Sequence, residues 1–155
     1  MAKKNDVNES KIKGMNSRYI KANLNDYQNY LVESVTDWDT PKMRNALKFS
    51  EANPNTCINE KGTTILHYAA ARQDVYSYEL GGLDMINVLL SSGADAFLTD
   101  ENGLTPYDYA ILKNNINNAR LIKKHMEREE MLRERRRKLQ EAKEKENQEQ
   151  QKNES

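Results

Sequence analysis

The chain has 155 residues, a natural size for one domain, but 31% of them are charged and the mean hydropathy is −0.98, so part of it lacks the apolar content to join a core. Charge is unevenly spread: residues 1–25 hold six bases against two acids, residues 26–119 six against thirteen, and residues 120–155 twelve against nine. An acidic body between basic arms argues against a dedicated nucleic-acid binder, whose folded domain is ordinarily the basic part. Cys57 is the only cysteine, which leaves no intrachain disulfide and no thiolate metal cluster and favours a reducing compartment, hence a cytoplasmic location. The start, MAKKNDVNES, has bases with no apolar run behind them and does not read as a secretory signal. No window approaches eighteen consecutive apolar residues, so no membrane-spanning helix is expected.

In chain order, residues 1–25 read as a disordered basic arm, and apolar residues become dense only from Met43 to about Ile122. Residues 26–58 end in MRNALKFSEANPNTCI, a helical segment followed by a stop at Ala52-Asn53-Pro54. At Asn59 begins NEKGTTILHYAAA, then an enlarged turn, RQDVYSYELGGL, then an apolar helix carrying Leu83, Met85, Ile86, Val88, Leu89 and Leu90 as core. Gly93 stops that helix, and Ala94-Asp95-Ala96 stand where the first stop stood. DENGLTPYDYAIL, beginning at Asp100, restates the segment at Asn59 with an offset of 41 residues, which places Gly62 and Gly103 at matching turns that need positive φ. From about residue 125 the sequence is rich in helix formers and free of Gly and Pro. It reads as a solvated helix fraying near Asn147, supported by the pairs Glu129/Arg133, Glu134/Lys138 and Glu141/Lys145.

Gly62, Thr64, Leu66, His67, Ala69, Ala70, Leu89, Leu90, Gly93, Ala94 and Asp95, with Asp100, Gly103, Thr105, Pro106 and Ala110 in the next unit, resemble the ankyrin repeat. The resemblance implies an all-α, ankyrin-repeat helical solenoid with short hairpin-like loops, here continued by an extended C-terminal helix. It assigns a repeat domain to residues 26–124: a degenerate capping repeat at 26–58, a full repeat at 59–99 and the first half of another at 100–124. The tail is then 125–155. The family period is about 33 residues, so an offset of 41 places an insertion near residues 72–82. Its Tyr76, Tyr78 and Leu80 are expected to pack on the repeat surface rather than wait for a partner. Ile65 stands where proline is usual, and Asp108 where a second histidine is usual; both departures are expected to weaken helix caps.

The same resemblance implies that Thr64 and His67 fix the turn between hairpin and helix, with Gly62, Gly93, Gly103, Thr105 and Pro106 in structural roles. A nucleophilic pair of Cys57 and His67 lacks a recognisable third group or oxyanion hole. His67 and His125 fall in different elements, and no ligand spacing points to a metal. No catalytic residue, cofactor or small-molecule substrate is therefore expected. The implied function is protein–protein interaction with an unidentified partner through hairpin tips and inner helices: Glu60, Lys61, Thr63, Tyr68 and Arg72, then Glu101, Asn102, Leu104, Tyr109 and Lys113. Tyr68 and Tyr109 occupy equivalent positions, either as an aromatic ladder that anchors a partner or as covers of the joints between repeats. The alternative function uses the basic helical tail to hold nucleic acid, an acidic protein or another helix. The line His125, Leu132, Leu139 recurs at seven residues and would support weak self-association.

Overall fold

The computed structural model describes residues 20, 23–72 and 81–155. Most of the expected basic arm lies outside these residues, as do Tyr76, Tyr78 and Leu80 of the insertion and the side chain of Leu83. Among the described residues there are six helices and no strand: α1 (Asp26–Thr36), α2 (Thr40–Ala46), α3 (Ile65–Ala71), α4 (Gly81–Ser91), α5 (Pro106–Leu112) and α6 (Ile116–Asn153).

The helix starts follow from side chains that replace missing backbone partners. Asn25 accepts from the Gln28 N–H at 2.8 Å while the Gln28 side chain accepts from the Asn25 N–H at 3.1 Å, a capping box for α1. Asp39 accepts from the Lys42 N–H at 2.9 Å and starts α2. Thr64 and Thr105 do the same for α3 and α5, each closing a box three residues on, with His67 and with Asp108. Asp108 does not weaken its cap as expected: its carboxylate accepts from the N–H and the hydroxyl of Thr105, both at 2.9 Å.

Three helix ends share one solution. Trp38, Gly93 and Asn114 have φ of 58°, 97° and 56°, and after each the next N–H reaches back five residues: Asp39 to Ser34, Ala94 to Leu89 and Asn115 to Ala110. Glycine and asparagine are the usual occupants of that conformation, and tryptophan is not. Trp38 is held there by packing against the core and by Arg72, whose guanidinium lies 4.5 Å from the centre of the indole. Arg72 Nη1 also donates to the Thr36 carbonyl at 2.9 Å, satisfying an end of α1. Arg72→Ala is expected to cost about 1–2 kcal/mol, from one hydrogen bond and one cation–π contact. Arg72→Lys should recover little of it, because an ammonium cannot reproduce the planar stack; a urea titration of the three proteins measures both.

The helices pack in two rows, α1–α3–α5 and α2–α4–α6, so each pair stacks on the next. One core runs through all three pairs, with Leu31, Val35, Met43, Ile65, Leu66, Met85, Ile86, Leu89 and Ile122 fully buried. The first pair is degenerate in sequence but contributes Leu31, Val32, Val35, Met43 and Ala46 to that core. The second helix of the last pair is the start of α6, through Asn118, Ala119 and Ile122. Asn115 makes no side-chain cap for α6; its amide instead donates to the Arg72 carbonyl at 2.9 Å, a bond between the second and third pairs.

The tail departs from expectation in two ways. Helix α6 runs to Asn153 without fraying near Asn147, because an unbroken series of helix formers is laced by Arg137, which pairs with Glu134 at 2.7 Å and Glu141 at 2.6 Å. Of the expected pairs, Glu134 and Lys138 meet at 3.4 Å, whereas Arg133 lies over the Phe97 ring, 4.6 Å from its centre. Further, His125 and Leu132 are half-buried and only Leu139 of that line is exposed, so the heptad line is not a free seam for pairing two tails.

Candidate functional site

The loops entering α3 and α5 are built alike from one acceptor each. The Asn59 side chain accepts from the N–H groups of Lys61 and Thr63 at 3.0 and 3.1 Å, and Asp100 from those of Asn102 and Leu104, both at 2.9 Å. Between acceptor and second donor the chain turns through Gly62 and Gly103, at φ of 76° and 75°, a conformation that side chains resist. The two tips are joined. The Glu101 N–H donates to the Lys61 carbonyl at 2.7 Å, and the Lys61 ammonium stands 3.8 Å from the Glu101 carboxylate.

Beneath the tips sits His67, with no exposed surface. Its Nδ1 accepts from the Thr64 N–H at 3.2 Å and lies 2.8 Å from the Thr64 hydroxyl. A backbone N–H can only donate, so Nδ1 carries no proton and Nε2–H donates to the Leu104 carbonyl at 2.8 Å. One side chain thus closes its own helix cap and fastens the next hairpin. Desolvation holds the imidazole pKa below its ordinary value of 6.5, against smaller upward pulls from the Leu104 carbonyl, Asp100 and Asp108. The Tyr109 ring meets His67 edge-on with centres 4.8 Å apart, and its hydroxyl donates to Asp100 at 2.6 Å. For Asp100, desolvation raises the pKa, but the Tyr109 hydroxyl and the N–H groups of Leu104 and Asn102 together outweigh it, so the carboxyl titrates below 3.8.

This geometry sorts the sequence-predicted contact residues. Glu60, Lys61, Glu101, Asn102 and Lys113 are exposed. Tyr68 and Leu104 are half-buried, and the Leu104 carbonyl is occupied by His67. Thr63 is only 8% exposed and its hydroxyl faces that of Tyr109 at 3.5 Å, so it does not belong to an outer surface. Arg72 is turned to Thr36 and Trp38. Tyr109 packs on His67 and bonds to Asp100, which makes it a cover of the joint between units rather than a rung of a ladder.

Cys57 and His67 are not poised as a nucleophile and its base. Both imidazole nitrogens are engaged, and burial pushes the thiol pKa up, away from the reactive thiolate. No group of three or more His, Cys, Asp or Glu among the described residues is placed to hold a metal ion, and no described helix is long and apolar enough to cross a membrane. The links that sequence reasoning missed are side chains between units: Arg72 on Trp38, Asn115 and Asn118 at the end of α3, and Asn55 accepting from the Asp95 N–H at 2.7 Å.

A family model of ankyrin repeats in three copies matches residues 35–131, more than half of the chain. The chain is an ankyrin-repeat protein. The match begins at the last turn of α1 and ends inside α6, so α2 and the start of the long helix fall within it while most of α1 lies before it. None of the curated proteins compared with the chain matches it. Ankyrin repeats generally mediate protein–protein interaction and are typically non-enzymatic.

Proposed function

We propose that this ankyrin-repeat protein is a non-enzymatic binding module that holds a protein partner on the linked hairpin tips, Glu60–Lys61 and Glu101–Asn102, with Tyr68 and Leu104 beside them. The observation that supports this reading is the direct bond between the tips, the Glu101 N–H on the Lys61 carbonyl at 2.7 Å. Two exposed loops fixed to each other, with a buried histidine beneath, form a surface whose ordering is complete before a partner arrives, and association then loses less entropy. The partly exposed free thiol of Cys57 fits work in a reducing compartment such as the cytoplasm. The basic stretch of the tail gives the alternative less support, since Arg137 and Lys138 are paired with Glu134 and Glu141, and Arg133 lies on Phe97.

The combined variant Lys61→Ala, Glu101→Ala, Asn102→Ala tests the surface. These side chains are exposed, so stability should change by no more than about 0.5 kcal/mol, while capture of the partner in a pull-down with the full chain should be lost. Capture that survives these changes but disappears when residues 134–155 are removed would transfer the function to the tail.

A further inference from the structure

The two ends of the stack differ from each other in a complementary way. At the C-terminal end, Ile111, Leu112 and Ile116 are 45%, 68% and 45% exposed. By the 41-residue offset, Ile111 and Leu112 stand where Ala70 and Ala71 stand in the preceding unit. There the face is small and closed by the next unit, through Asn118 on the Ala70 carbonyl. Here it is bulky, apolar and uncovered. Around it the sequence is one-signed: residues 109–126 contain Lys113, Arg120, Lys123 and Lys124 and no acid, and all four cations are exposed.

At the other end, the first unit exposes aromatic rings. Tyr27 and Phe49 are 42% and 47% exposed and touch each other with ring centres 5.1 Å apart. Their neighbours in sequence are the exposed acids Asp26 and Glu51 and one exposed base, Lys48, in a unit, residues 26–58, of five acids against three bases, where Lys42 already pairs with Glu33 and Asp37. The contacts between helices run in one direction, first pair to second to third, so these patches lie on opposite terminal units.

We infer that the cationic, apolar end of the third unit docks on the acidic, aromatic face of the first unit of a second copy, so that copies associate head to tail. Charge complementarity selects the occupant: the surface that the basic end seeks is carried by the same chain. Exposed ion pairs contribute little each, so the apolar contact supplies the affinity and the charges supply orientation and salt sensitivity. The contact is heterologous, because different patches meet, and it does not close on itself. Association therefore extends with concentration instead of stopping at a dimer.

Sedimentation equilibrium of the full chain tests this, at concentrations up to about 1 mM, the weak end of specific affinities. The wild-type average mass should climb with concentration and fall back as salt is added. Leu112→Asp and Phe49→Asp should each remain monomeric alone, whereas their equimolar mixture should form a dimer and nothing larger, since each retains one intact end. Tyr27→Asp serves in place of Phe49→Asp if the latter lowers the melting temperature. A wild-type protein that stays monomeric, a Leu112→Asp variant that associates as the wild type does, or a mixture that stays monomeric would each overturn the inference. The hairpin variant at Lys61, Glu101 and Asn102 should associate normally, which separates this contact from the partner surface.

Discussion

His67→Ala should lower the unfolding free energy by about 2–3 kcal/mol, the consequence of leaving buried polar partners unpaired and opening a gap in a packed interior. The Thr64 N–H loses its acceptor and the Leu104 carbonyl its donor, and the Tyr109 ring loses the imidazole it rests on. Against a total stability of about 5–15 kcal/mol, that is a large share from one side chain. Cys57→Ser should change little. A pH series adds a sign to the test. Because the folded pKa of His67 lies below 6.5, the unfolded chain takes up the proton first. The stabilisation is therefore fully present above pH 6.5 and is lost as pH falls below it. The Asp100 contribution has the same direction but is lost only below 3.8. Denaturant midpoints measured from neutral pH downward should slope through the first window in the wild type and lie flat there in His67→Ala. Equal slopes in both proteins would remove His67 as the source.

The second large effect divides one helix into two parts. Ile122→Ala should cost about 3 kcal/mol, as for a buried aliphatic side chain that leaves a cavity, because Ile122 is fully buried where α6 closes the third unit. Leu139→Ala, 56% exposed on the same helix, should fall within about 0.5 kcal/mol of wild type. Removal of residues 134–155 should likewise leave the melting temperature of the repeats unchanged, while ellipticity drops with the lost helix. A comparable loss from both point variants would mean that the distal helix folds back on the body.

Local chemistry was readable in the sequence wherever it repeated. Thr64 and Thr105 as caps, Gly62 and Gly103 at positive φ, and Gly93 after α4 are short-range features, fixed by neighbours two to five residues away. Apolar density marked the core from Met43 to Ile122 but missed its first helix, where Leu31, Val32 and Val35 are buried. What escaped was long-range and singular. Nothing near Arg72 announces that it will cap a helix 36 residues earlier, and nothing near Trp38 marks it for the conformation that Gly93 and Asn114 adopt. Of the two readings open for Tyr68 and Tyr109, the surroundings of Tyr109 match the cover of a joint, and those surroundings differ between the two units. Tyr109 has Asp100 beside it, where the unit before has the amide Asn59. Asp108, expected to weaken its cap, completes it; the last unit has no further hairpin among the described residues for a histidine to hold.

Trp38 is the only tryptophan in the chain, and it lies under a guanidinium contributed by the neighbouring unit. Its fluorescence therefore watches a single seam, the junction of the first and second units, while circular dichroism watches every helix at once. If the solenoid unzips from its degenerate end, emission will change at a lower temperature than ellipticity; if the units melt together, the two traces will superimpose. The protein thus carries a built-in optical gauge for the order in which its repeats let go, with no label to attach and no second indole to subtract.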